Sequence, residues 1–197
     1  MSRHSKPADG GPKARRKGFL GRFCRDRSGS TALEFAALAL PFSMLVFAIL
    51  ESCISFAGQE VLANATDDVA RQLRTGQVKA AEATQTKIKS MICSQLEVMV
   101  SNDCSNQLMV DLRKYDSFQK ASLARFRIVS GQVQLTNNGK NDSFAITPGK
   151  SKTINMLRVF YKWPVITDFM SKWMANLNDG RTLHFASVTW QNEPFED

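Results

Sequence analysis

Gly29 and Glu34 are the residues of this sequence whose types and spacing indicate a specific chemistry. Gly29 closes a basic stretch, and Glu34 follows it by five positions at the leading edge of an apolar run. A carboxylate beside hydrocarbon is costly unless a positive charge pairs with it. A carboxylate at the start of an apolar run therefore raises the question of which positive charge pairs with it. The plainer alternative is an interfacial glutamate that favours the positive end of a helix dipole.

The cysteines offer a second kind of chemistry. Cys24 precedes the apolar run and Cys53 lies within it, whereas Cys93 and Cys104 follow it with ten residues between them. In an oxidising, exported compartment such a pair favours a disulfide that closes a short loop, rather than a metal site. Two unpaired thiols are the alternative.

The sequence contains few residue patterns typical of an enzyme active site. The two histidines, His4 and His184, are far apart in the sequence, and His184 falls in a predicted strand, where a structural role is expected. Gly149-Lys150-Ser151 resembles the end of a phosphate-binding loop, but the earlier glycine that this motif requires is replaced by Phe144. We therefore expect no enzyme activity, no catalytic residue, no metal and no cofactor.

The element that positions Glu34 is a predicted membrane helix. Residues 36–50 carry no charge, and with residues 52–57 the apolar stretch approaches the roughly 20 residues needed to cross a bilayer. Glu51 is expected at the outer interface without a site role. A cleavable secretory signal ending near Ala57 and an inert signal anchor are the alternatives.

The charge distribution orients this helix. The formal net charge is +8, of which residues 1–29 contribute +7 and the rest of the chain +1. A basic flank before an apolar segment predicts a cytoplasmic N-terminus and an exported C-terminal part. Because the body is nearly neutral, nucleic-acid binding is not expected; a nucleic-acid-binding arm is the alternative for the basic tail.

The residues around Gly29 resemble the processing site of type IV pilins. The resemblance is closer to the TadE-like family, the minor pilins or pseudopilins of the tight-adherence (Flp) pilus system. It rests on Gly29 followed by STALEFA, then LP at 40–41, an aliphatic run ending in LE at 50–51, and NEPF at 192–195. Trp190-Gln191 departs from the aromatic-arginine pair expected before the Asn.

The resemblance implies a reaction and a set of partners. A prepilin peptidase would cut after Gly29, and the new α-amine of Ser30 would pair with Glu34 of its own or a neighbouring chain. Glu34 and Phe35 would then belong to the assembly surface. The implied partners are membrane lipid, the peptidase, other pilins and the pilus assembly machinery, with the chain in the bacterial inner membrane.

The predicted organisation is a basic leader (1–29), a transmembrane helix (30–57) and an exported α+β domain (58–197). Apolar spacing extends the first helix to Leu73, with Gly76 as its stop, and predicts a second helix over 79–100. A hairpin is predicted at 126–135, strands at 154–163 and 182–190, and a short helix at 167–177. The expected fold is pilin-like, with helices packed on an antiparallel sheet.

The expected function is assembly of a tight-adherence pilus, with incorporation into the filament and retention in the membrane both left open. The alternative is an uncleaved single-pass anchor that displays an α+β binding domain outside the membrane. Cleavage at Gly29 distinguishes the two.

Overall fold

A long helix opens the described part of the chain. The computed structural model describes residues 30–100 and 103–196, so Gly29 and the rest of the basic leader lie outside it. Helix α1 runs from Ser30 to Arg74 and contains Pro41. By length and composition it is apolar enough to cross a membrane.

The chain divides into two units, residues 1–46 and 47–197, and the boundary falls within α1. In the first unit, the described residues 30–46 are helical and their side chains are almost all exposed. The large exposed apolar ones are Leu33, Phe35, Leu38, Leu40, Phe42, Met44, Leu45 and Val46. Such a surface is expected for a helix whose solvent is lipid.

In its described residues, the second unit combines the rest of α1 with four short helices and seven strands. The helices are α2 (Gln85–Leu96), α3 (Cys104–Gln107), α4 (Phe118–Ala121) and α5 (Asp168–Met174). The strands are β1 (Leu108–Tyr115), β2 (Ala124–Val129), β3 (Gln132–Asn137), β4 (Lys140–Asp142), β5 (Ile146–Thr147), β6 (Ile154–Trp163) and β7 (Thr182–Gln191).

The strands form two sheets. The larger has the order β5-β1-β6-β7, and the smaller has the order β2-β3-β4. All neighbouring strands are antiparallel except β1 and β5, which pair in parallel through two residues each. The α+β prediction is confirmed, with a short parallel pair at one edge of the sheet.

Alternate side chains of β6 point to opposite faces of the larger sheet, and one set of them packs in the hydrophobic core. Leu157, Val159, Tyr161 and Trp163 belong to the cluster that also contains Leu62, Ala65 and Val69 of α1 and Ile88, Ile92 and Leu96 of α2. Phe160, on the opposite face of the strand, contacts Phe126, Phe144 and Phe185. The sheet therefore has apolar packing on both faces, with the helices on one of them.

Most predicted elements are confirmed, with shifted ends. The hairpin, the strands at 154–163 and 182–190 and the short helix after Thr167 are present, and α1 ends one residue beyond Leu73. The second helix was predicted too long. It begins only after Thr84, whose backbone is extended and whose hydroxyl accepts a hydrogen bond from the N–H of Lys87.

Candidate functional site on the N-terminal helix

The predicted processing motif lies at the start of α1. Ser30 is the first described helical residue, and its hydroxyl donates to Oε1 of Glu34 at 2.9 Å. Both residues are exposed, as is Phe35. Glu34 thus presents a carboxylate beside apolar side chains, where a cation from another group can reach it. Gly29, the residue before the predicted cut, lies outside the described residues.

Glu51 holds α1 to the domain. It is 4% exposed, and its carboxylate accepts hydrogen bonds from the backbone N–H groups of Ile166 and Thr167 and from the Thr167 hydroxyl. These donors lie in the link from β6 to α5. Sequence reasoning gave Glu51 no site role. Its position at the end of an apolar run was compatible with simple exposure, and its partners are more than a hundred residues away in sequence.

One turn further along α1, Ser55 and His184 form a buried polar pair. The Ser55 hydroxyl and Nε2 of His184 are 3.0 Å apart. Gln59, on the next turn, donates to the carbonyl of Phe185 and accepts from its N–H. The side chain of Gln59 therefore pairs with the backbone of β7 as a neighbouring strand would.

A serine hydroxyl beside a histidine ring could act as a nucleophile and its general base. The surroundings of the Ser55–His184 pair make the ring a poor base. Burial lowers the pKa of His184 to about 4, so the ring is a weak base at neutral pH. Among the described residues, Nδ1 has no hydrogen-bond partner to orient the ring or stabilise its protonated form. The pair lines a groove of about 360 Å³ together with Phe56 and Met174.

Gly58 permits the closest approach of α1 to the sheet. A Cβ atom at this position would lie 2.4 Å from Cη2 and Cζ3 of Trp163. The Trp163 ring is buried and stacks on His184, with ring centroids 4.9 Å apart. A glycine is required here because the helix surface and the indole ring occupy adjacent space.

The C-terminal segment holds the other end of α1. Asn192 is buried, donates to the carbonyls of Gly149 and Lys150, and accepts from the Trp190 indole N–H. The N–H of Glu193 donates to the carbonyl of Arg74, the last residue of α1. The NEPF segment singled out in the sequence therefore satisfies a carbonyl that the helix end leaves without an intrahelical partner.

A glycine completes this attachment. Gly76 follows the end of α1 with a φ of 74°, and its N–H donates to the carbonyl of Leu73. A Cβ at Gly76 would meet the Phe195 ring at 2.6 Å. Glycine is favoured there both by the left-handed backbone and by the contact with the C-terminal segment.

Cys93 and Cys104 are joined by a disulfide, with their Cα atoms 5.8 Å apart. The bond links α2 to α3, the element that leads into β1. Cys53 is a free, exposed thiol on α1. The structure thus places the two cysteines paired in the sequence analysis together.

A buried ion pair joins the central strands. Both oxygens of Asp111 are used: Oδ2 accepts from Arg158, with Nη2 at 2.7 Å, and Oδ1 accepts from Nε of Arg113 at 2.9 Å. Arg158 also donates to the carbonyl of Arg125 in β2. Because Asp111 and Arg158 are almost fully buried, the pair joins the two sheets and is not available to a ligand.

The arrangement defines a class of protein in which a long N-terminal helix leads into a small α+β domain. The first half of that helix exposes apolar side chains. Residues 29–71 match the family model described as TadE-like protein. The resemblance stated from the motif is thereby confirmed over this segment, which contains Gly29, Ser30, Glu34 and Phe35. No curated protein and no solved structure matches the chain. The apolar helix and the family match together fit a membrane-anchored protein.

Proposed function

We propose that the protein is a minor pilin or pseudopilin that takes part in assembling a tight-adherence pilus after a prepilin peptidase cuts it behind Gly29. One observation carries the proposal. The family match begins at Gly29 and includes Glu34, the carboxylate five residues beyond it. A cut at Gly29 creates the positive charge that a carboxylate at the edge of a membrane helix needs.

The proposed role is mechanical, without catalysis. The first turns of α1 expose Leu33, Phe35 and Leu38 around Glu34, a surface suited to packing against other helices within a membrane. Between helices in lipid, close packing and polar pairs supply the attraction, because the tails are as apolar as the side chains. Glu34 would set the register of each helix against the N-terminus of its neighbour.

The domain supports the same mechanism. Glu51, Ser55, Gln59 and the C-terminal segment fix α1 to the sheet along its second half. A force on the helix would thus be passed to the whole domain. The weak basicity and burial of His184 support a structural role for its pair with Ser55.

N-terminal sequencing and intact mass of the membrane-extracted protein test the proposal. Cells with and without a functional prepilin peptidase are compared, with Gly29→Val as the uncut variant and Gly21→Val as the matched leader control. We expect a start at Ser30 that depends on the peptidase, that Gly29→Val abolishes and that Gly21→Val retains.

Assembly is scored separately. Glu34→Gln should be cut normally yet fail to support pili, whereas Glu60→Gln, an exposed change on the domain part of α1, should support them. A start at Met1 or Ser2 in both strains would instead make the chain an uncleaved anchor. A start near Gly58 would make the apolar run a secretory signal.

A further inference from the structure

Helix α5 carries an exposed apolar face. Ile166, just before the helix, is 68% exposed, and Trp173, in its last turn, is 84% exposed. Phe169 between them is also exposed. Phe169 and Trp173, four positions apart in α5, lie on one side of the helix, and Ile166 precedes the helix by two residues. The other two tryptophans, Trp163 and Trp190, are 4% and 6% exposed, so the exposure of Trp173 is exceptional in this chain.

The position of α5 is fixed at both ends. Its entry is held to α1 by Glu51, which accepts from the N–H groups of Ile166 and Thr167. Its exit is held to β7, where the Thr182 hydroxyl donates to the carbonyl of Met174 at 2.8 Å. The position of the apolar face along the axis of α1 is therefore fixed near Glu51.

That position is where one side of α1 becomes buried against the domain, while Ile54 and Phe56 on its other side are still exposed. Phe47, Ile49 and Leu50 directly precede Glu51 and are exposed, whereas Glu51 and Ser55 are buried against the domain. The Glu51 hydrogen bonds thus hold the start of α5 beside an exposed apolar stretch of α1 that is suited to lipid. Trp side chains concentrate where hydrocarbon meets water, and an adjacent lysine such as Lys172 can reach the phosphates.

We propose that α5 rests in the outer headgroup region of the membrane, with Ile166, Phe169 and Trp173 as its lipid-contacting residues. This inference depends on the membrane anchoring contained in the proposed function. Glu51 then has a second consequence: by fixing α5 to α1 at the exit from the bilayer, it sets the orientation of the domain against the membrane surface. The occupant of the apolar face is lipid.

Tryptophan fluorescence of the full chain in phosphatidylcholine–phosphatidylglycerol vesicles tests this. The signal of Trp173 is the difference between the wild type and Trp173→Phe. The probes are lipids brominated on their acyl chains, which quench from the bilayer, and iodide, which quenches from water. Membrane insertion is checked independently by an alkaline wash of the vesicles.

The matched control places an indole at the opposite end of the sheet. Phe118 is exposed in α4, which follows the end of β1 that pairs with Ile154, about 30 Å along β6 from Trp163. The variant Phe118→Trp, made in the Trp173→Phe background, reports an exposed indole away from the membrane. Its signal is the difference between this double variant and Trp173→Phe alone.

We expect brominated lipid to reduce the Trp173 signal at least twofold and to leave the signal of the control indole unchanged. Iodide should quench Trp173 at least twofold less than it quenches the control indole. Trp173 quenched by iodide but not by bromine, in protein that survives the alkaline wash, would overturn the lipid contact and leave the anchor intact. If Trp173 is protected from both quenchers, and the protection increases with the protein-to-lipid ratio, the lipid contact is also overturned. The apolar face would then be covered by a second copy of the chain. Release of the protein by the wash would overturn the anchoring itself.

Discussion

Glu51 and Thr167, 116 residues apart in the sequence, are joined by two hydrogen bonds from the backbone N–H and the hydroxyl of Thr167 to one buried carboxylate. A third comes from the N–H of Ile166. A residue that ends an apolar run thus organises the link between the last two long strands. The carboxylate accepts from the N–H of Thr167, the N-cap of α5, and from the N–H of Ile166 before it, donors that the helix does not satisfy.

Replacement of Glu51 by alanine should destabilise the domain by about 1–3 kcal/mol, because it leaves three partly buried donors without their acceptor. Glu51→Gln should cost less, since one amide oxygen can still accept from the backbone. The measurement is denaturant unfolding of the full chain in detergent micelles. Glu60→Ala, an exposed glutamate on the same helix, is the control and should change the free energy of unfolding by less than about 0.5 kcal/mol. Equal effects at the two positions would contradict the structural role of Glu51.

The contrast between Glu34 and Glu51 shows what the sequence could and could not predict. Glu34 was proposed as a site residue because its spacing from Gly29 is a local pattern, and its role stays a prediction. Glu51 depends on donors in a loop 115 and 116 positions away, and a carboxylate at the end of an apolar run is equally compatible with simple exposure. Local spacing carries information about helices and motifs, whereas the partners of buried polar groups are set by tertiary contacts.

The strands show the same limit. β6 and β7 were predictable because β-branched and aromatic residues recur along them, and in β6 Leu157, Val159, Tyr161 and Trp163 alternate with Arg158 and Lys162. β1 was missed although Leu108, Val110 and Leu112 alternate with Asp111 and Arg113, because two charges on one face indicate a solvated surface rather than a central strand. Their charges are compensated by Arg158 and Asp142, which lie far along the chain. Nothing in the sequence pairs Asp111 with Arg158, so the burial of both faces of β1 could not be predicted from its own residues.

Gly58 and Trp163 should be coupled. Gly58→Ala places a Cβ atom 2.4 Å from the indole ring, and the expected cost is about 1–3 kcal/mol because Trp163 is packed and cannot move aside freely. In a Trp163→Leu background the same alanine should cost much less. A double-mutant cycle on unfolding free energies measures this difference. Additive effects of the two substitutions would contradict the close contact.

The disulfide makes a separate prediction. Its loss in Cys93→Ser or Cys104→Ser should destabilise the domain by about 2–3 kcal/mol, since the bond closes a short loop in the unfolded chain. Cys53→Ser, which changes a free exposed thiol, is the control and should have little effect. Thiol alkylation followed by mass measurement without reductant should find one reactive cysteine beyond residue 30. Three reactive thiols there would contradict the bond.

His184 predicts how stability depends on pH. Its pKa is about 4 in the folded chain, because burial disfavours the charged ring, against about 6.5 when exposed. Between these two pH values the unfolded chain binds one more proton than the folded chain. The stabilising contribution of the buried, neutral His184 ring is therefore complete above pH 6.5 and is lost as the pH falls towards 4. The slope from this residue is at most about 1.4 kcal/mol per pH unit.

The measurement is the free energy of unfolding of the full chain in detergent between pH 7 and 4, compared with His184→Gln. Carboxylates titrate near the lower end of this range in both proteins, and their contribution cancels in the difference. The wild type should therefore lose stability more steeply than the variant, and the two curves should differ most in slope between pH 6.5 and 4. Parallel curves would mean that the ring takes up its proton in the folded domain, so that Ser55 and Trp163 do not exclude water from it.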